Sequence, residues 1–152
     1  FFNNKKINSD QINQLEDASF SAIQAKTSKG LNSSQLQNLS ASIVGAFTSD
    51  QISKFNSVQI GKINYAYVDE LSNAAIASIS AKSIRGLTIG QIAELKSTNS
   101  AQLTAQQVAQ LNSTQLAAFS AEAINGLSSA AFMAISSSAA KGIKTEDLNT
   151  DS

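Results

Sequence analysis

The segment Leu103-Thr104-Ala105-Gln106-Gln107-Val108-Ala109-Gln110-Leu111-Asn112-Ser113-Thr114-Gln115-Leu116-Ala117-Ala118-Phe119 contains two successive copies of one eight-residue pattern. Each copy opens on a large apolar residue and continues with Thr or Asn. Gln stands fifth and a second apolar residue sixth. Stepping outward by eights, the first position holds Ile7, Leu15, Ile23, Leu31, Leu39, Phe47, Phe55, Ile63, Leu71, Ile79, Leu87, Leu95, Leu103, Leu111, Phe119, Leu127, Ile135 and Ile143. The sixth holds Ile12, Phe20, Leu36, Val44, Ile52, Ile60, Val68, Ile76, Ile84, Ile92, Val108, Leu116, Ile124, Phe132 and Leu148, interrupted only by Ser28, Ser100 and Ala140. A fixed short period marks a repeat architecture, in which a unit too small to bury its own apolar face must stack on others.

The polar positions say what the unit is. The second position is Asn8, Asn32, Ser40, Thr48, Asn56, Asn64, Ser72, Ser80, Thr88, Thr104, Asn112, Ser120, Ser128 or Ser136 in fourteen of eighteen octads. These residue types favour the helix N-cap, where a side-chain oxygen satisfies a free backbone N–H of the first turn. Three residues on, Gln11, Gln35, Gln51, Gln59, Gln91, Gln107 and Gln115 complete a capping box. The two apolar positions then fall just before the cap and at the fourth helical residue, the arrangement of a hydrophobic staple. Each octad reads as a helix start.

One continuous helix is excluded. At about 100° per residue, the apolar pair would rotate about 80° with every octad, so no stripe survives. Supercoiled helices need repeats averaging about 3.5 or 3.67 residues per turn, not four. The chain must therefore turn once per unit: six helical residues, roughly 9 Å of rod, and a corner. Gly30, Gly86, Gly126 and Gly142 at the eighth position suggest that the corner lies there, in the left-handed conformation that ends helices. The predicted fold is all-α, a solenoid of about eighteen stacked units. A β-solenoid is the alternative, because short apolar runs are ambiguous. The caps, the Gln and Ala content and the scarcity of Val, Thr and Tyr at the paired positions weigh against it. The solenoid spans 7–150, with flanks 1–6 and 151–152. Residues 31–46 match 111–126, and 71–86 fits both, so a forty-residue duplication overlies the octad.

Composition narrows the function. The chain has no Pro, Cys or His, and its eleven basic residues balance eleven acidic ones. Without cysteine no disulfide holds the fold. No apolar run approaches the ~18 residues of a membrane span, and Phe1-Phe2-Asn3-Asn4-Lys5-Lys6 is no signal peptide. The chain reads as part of a longer one, with neighbouring repeats in its parent.

Candidate chemistry is sparse. The usual general base, thiol nucleophile and zinc ligands are missing; no enzymatic activity, cofactor or metal is expected. Glu16-Asp17, Asp69-Glu70 and Glu146-Asp147 are adjacent on helices, about 100° apart, and so do not converge on a substrate. Ser138-Ala-Ala-Lys141 has the Ser-x-x-Lys form but lacks the companion motifs. Asn32, Asn38 and Asn112 head sequons, and capping explains Asn32 and Asn112 better. Nucleic-acid reading, open in principle to helical repeats, requires a basic stripe. Lys26, Lys29, Lys54, Lys62, Lys82 and Arg85 are instead scattered beside acidic residues.

The remaining signal lies where apolar residues invade polar positions. Val58, Tyr65, Tyr67 and Ile89 do so, Ile43 takes a Gln slot, and Phe1 and Phe2 precede the array. Such residues either mark a contact surface or thicken the core beside the staples. Tyr65, Val58 and Ile89 are the candidate contacts for a protein partner meeting the polar or concave face.

Leu87-Thr-Ile-Gly-Gln-Ile-Ala-Glu-Leu95 and Leu103-Thr-Ala-Gln-Gln-Val-Ala-Gln-Leu111 resemble the tandem octapeptide arrays of very large bacterial proteins, adhesin-like or secreted. The resemblance covers 7–150 and implies an exported or surface location and a non-enzymatic role. It transfers no site residues. This chain departs from such arrays in lacking proline, which often fills their third position. The expected function is a structural spacer or protein-binding scaffold. The alternatives are a nucleic-acid-reading repeat and a non-catalytic part of a larger effector enzyme.

Overall fold

The computed structural model describes residues 7–144. Phe1, Phe2, Glu146-Asp147, Leu148 and both flanks lie outside the described residues. Each octad from Ile7 to Gly142 contributes one short element: fifteen α-helices of four to six residues and two 3₁₀ segments, Tyr65–Glu70 and Ile84–Gly86. No strand occurs among the described residues, so the β-solenoid alternative falls.

The caps form as the residue types dictate. All fourteen second-position Asn, Ser and Thr side chains accept a backbone N–H of the following turn. Each of the seven Gln residues closes a capping box. In the box of Thr104, the Gln107 N–H donates to Thr104 Oγ1 at 3.2 Å, and Gln107 Oε1 accepts the Thr104 N–H at 2.8 Å.

The corner is not where the glycines suggest. In nearly every unit the sixth N–H donates to the second carbonyl, as Val108 to Thr104, and the next first-position N–H returns to the sixth carbonyl, as Leu111 to Val108, both at 3.0 Å; in the 3₁₀ segment Tyr67 takes the Asn64 carbonyl instead. The first and second residues are then extended: Leu87 has φ −57° and ψ 125°, and Thr88 has φ −77° and ψ 159°. Two extended residues per octad redirect the chain. The eighth position stays right-handed, at φ −85° and ψ −10° for Glu94 and φ −75° and ψ −16° for Gly126. Gly86, Gly126 and Gly142 are required instead by close approach. A Cβ on Gly86 would lie 1.8 Å from the Ser57 carbonyl oxygen, and one on Gly142 equally close to that of Ser113. On Gly126 it would stand 2.7 Å from the Ser97 oxygen.

Each helix packs not on the next but on the third that follows. Ser49–Ser53 lies against Asn73–Ser78, Ser97–Ser100 against Ala121–Asn125, and Ala105–Val108 against Ser129–Met133. Three octads therefore make about one superhelical turn, and the forty-residue duplication does not coincide with it. Apart from Leu15 and Phe132, both apolar series fill one continuous core from Ile12 to Ala139. Phe20, Phe47 and Phe55 meet edge to face there, at centroid distances of 5.0 and 5.3 Å, a favoured aromatic geometry. Ser28 and Ser100, which interrupt the second series, are fully buried, and each hydroxyl donates to a carbonyl of its own helix. Ile43 is core, and Tyr67 packs half-buried against the core, so both thicken the interior.

Successive turns are tied by the capping glutamines themselves. While Oε1 closes the box, Nε2 donates across to the turn before: Gln107 to the Ile76 and Ile79 carbonyls at 2.9 and 2.8 Å. Gln91 reaches those of Ile60 and Ile63, both at 2.8 Å. Gln35, Gln51, Gln59 and Gln115 bond likewise to the first-position carbonyl 28 residues earlier, and Ser83 does so with its hydroxyl. These polar side chains are buried but satisfied, the condition under which burial costs little.

Candidate functional site

The turn length sets which residues of neighbouring turns meet at the surface, Tyr65 among them. A second family of contacts links residues 25 apart. Asn13 donates to the Asn38 carbonyl, Ser21 to that of Ala46, and Ser97 Oγ to Glu122 Oε1. Ser42 donates to Asp17, and Arg85 to Gln110. Tyr65 and Gly90 share this separation. A Cβ on Gly90 would lie 3.8 Å from both Cβ and Cγ of Tyr65, so the base of the ring lies against a residue that has no side chain. Tyr65 begins its 3₁₀ segment because the Asn64 side chain accepts the Ala66 N–H at 3.2 Å.

Tyr65 is 59% exposed, as is Ile89, the neighbour of its glycine seat. Gln37, Gly61, Lys62, Ile63, Asn64 and Thr88 complete with Tyr65 a surface depression of about 390 Å³. Its rim combines amide, hydroxyl and ammonium groups around one aromatic ring. Val58, 62% exposed, lines a separate depression of about 370 Å³ with Lys29–Asn32, Ser33, Asn56 and Gln59. The structure thus places Tyr65 on Gly90, the residue after Ile89, and puts Val58 at a different depression; none of the three is core. Sequence reasoning missed Gly90, Gln37 and Thr88. Their signal, a spacing near one turn from Tyr65, cannot be recognised before the turn length is known.

The other candidates remain dispersed. Asp69 pairs with Lys96 at 2.6 Å, and this hydrogen bond and charge hold the Lys96 ammonium above the ordinary lysine range. Ser138 shares a 3.1 Å hydrogen bond with Ser136. Asn32 and Asn112 cap helices, and Asn38 donates to the Ser34 carbonyl. Among the described residues no acidic cluster could hold a metal ion, and no helix is long and apolar enough to cross a membrane.

Comparison with family models, with curated proteins and with solved structures finds no match for this chain.

Proposed function

We propose that this chain is a non-enzymatic solenoid of an exported or surface-displayed bacterial protein, a scaffold that binds a protein partner at Tyr65 and Ile89. The observation that carries the reading is the pair itself: two large apolar side chains, more than half exposed, beside a glycine that seats the aromatic ring. Aromatic anchors with a polar rim are what protein interfaces concentrate. The chain's lack of histidine and cysteine supports the non-enzymatic part, and the octapeptide resemblance supports the location. A plain spacer is the second reading, favoured by the uninterrupted core along the solenoid.

A photo-crosslinking residue at Tyr65, compared in the producing cell with one at exposed Ser129, separates the two. The scaffold gives a discrete protein adduct from position 65 alone, and Tyr65→Ser abolishes binding of that protein while leaving the melting temperature unchanged. Identical patterns from both positions leave the spacer. Unfolding by Tyr65→Ser assigns the ring to structure.

A further inference from the structure

Two octads depart from the array, and in the same two places. Across the eighteen octads the third position holds Ser, Ala, Asn, Asp or Thr, except in 63–70 and 87–94, where it holds Tyr65 and Ile89. The eighth position is acidic only in the same two octads, as Glu70 and Glu94. These octads occupy consecutive turns of one stack: Ile89–Ala93 packs against Tyr65–Glu70, and Tyr65 lies on Gly90. The units stacked on either side carry Ala41 with Ala46 and Ser113 with Ala118 at the two positions. Two apolar residues and two glutamates therefore form one strip across two turns, bounded along the stack by small side chains.

Its charge is one-sided. Glu70 and Glu94 are exposed, like Tyr65 and Ile89. The Lys96 ammonium is raised first by its hydrogen bond to Asp69 and then by the charges of Asp69, Glu70 and Glu94. Three carboxylates act on one cation, so negative charge is in excess by two at this end of the strip. Lys62 lines the depression at the other end, just before octad 63–70, and the charge changes sign across the apolar pair. Nucleic acid and acidic lipid, both anionic, are repelled where the glutamates stand. A protein segment with cations placed at that end is matched.

We propose that this strip docks a basic amphipathic segment of a partner protein, laid along the stack so that its apolar residues cover Tyr65 and Ile89 while its Lys or Arg side chains meet Glu70 and Glu94. The inference rests on Tyr65 and Ile89 being a protein contact, and it supplies the partner's chemistry. Both pairs are separated by one turn, so a segment that repeats an apolar and a basic residue at that spacing meets all four. The apolar pair contributes the surface removed from water. The glutamates fix the register, speed the approach of cationic segments and reject anionic ones.

The test titrates the isotope-labelled full chain with three synthetic peptides of one length and one leucine pattern, whose polar positions are all Lys, all Gln or all Glu. The Lys peptide should shift the amide signals of 63–70 and 87–94, and not those of 39–46 and 111–118, with a Kd below about 1 mM. It should bind at least about threefold tighter than the Gln peptide, and the Glu peptide should not bind. Raising salt from about 0.01 to about 1 M shortens the Debye length from about 30 to about 3 Å and should erase that preference. Glu70→Lys with Glu94→Lys should reverse the order of the peptides, and Tyr65→Ser should weaken Lys and Gln peptides alike. A Lys peptide that binds no tighter than the Gln peptide overturns the inference and leaves Tyr65 and Ile89 as an uncharged contact; so does an order unchanged in the double variant. Full-strength binding of the Lys peptide to Tyr65→Ser overturns both the inference and the contact. Silence from every peptide overturns the basic segment, and the crosslinked adduct at position 65 then decides whether any protein binds there. Should the double lysine variant lose its helical circular dichroism, Glu70→Gln with Glu94→Gln replaces it, an undiminished preference for the Lys peptide overturning the inference.

Discussion

Glycine has two meanings in this chain, and substitution distinguishes them. Gly45 ends the Ala41–Gly45 helix, and a methyl placed there would lie 3.5 Å from its nearest neighbour, the Glu70 carbonyl oxygen. Gly45→Ala should therefore stabilise by about 0.5–1 kcal/mol, because alanine loses less backbone freedom on folding. Gly86→Ala drives its methyl into the Ser57 carbonyl at 1.8 Å and should destabilise by about 1–3 kcal/mol, as overpacking does. Urea midpoints at unchanged m-value check both signs; stabilisation by both would mean that the turns separate at no cost. The glutamines make the same point with polar groups. Gln107→Ala strands the Ile79 carbonyl and the Thr104 N–H and takes the second donor from the Ile76 carbonyl, which keeps the Ile79 N–H, and should cost about 1–3 kcal/mol. Among the described residues Gln11→Ala removes only a box, and it should cost clearly less. Equal losses would show that the bonds between turns contribute nothing.

Four to six residues are too few to hold a helix in water, where isolated segments below about 12–15 residues are marginal. The capping box is what each element has in place of length. Thr104→Ala should cost about 0.5–2 kcal/mol. The double variant with Gln107→Ala should lose less than the sum, because the two residues share one box. Full additivity would reduce Gln107 to a bond between turns. The element also explains why its glycines mislead about the corner. An eighth-position glycine beside a helix end resembles a left-handed cap, but the extended first and second residues already turn the chain, and the glycine makes room for another turn.

Across the whole molecule the ties between turns are uneven. Gln35, Gln51 and Gln59 hold the first turn from above at the Ile7, Ile23 and Lys29 carbonyls, whereas the last turn carries Ala123, Ala131 and Ala139 in the same slot. In a stacked array, local stability follows nearest-neighbour terms. Amide exchange should be slowest between residues 55 and 115, and the turn from 119 to 143 should exchange faster than that from 7 to 30. Equal protection at the two ends would mean that apolar packing alone sets stability.

The sequence alone determined the octad, the helix in each unit, the caps and the identity of the core, because these depend on neighbours within eight residues. Ser40, Thr88 and Asn112 need only the turn that follows to be legible as caps. Tertiary structure decided what depends on residues about 24 to 31 positions away. It set the number of units per turn, the second bond of each glutamine and the reason for Gly86. It also seated Tyr65 on Gly90, put Val58 at a different depression, and left Leu15 and Phe132 partly exposed. The physical reason is that an eight-residue period fixes which side of each unit is apolar. The angle added at each pair of extended residues, summed over three units, fixes which units meet.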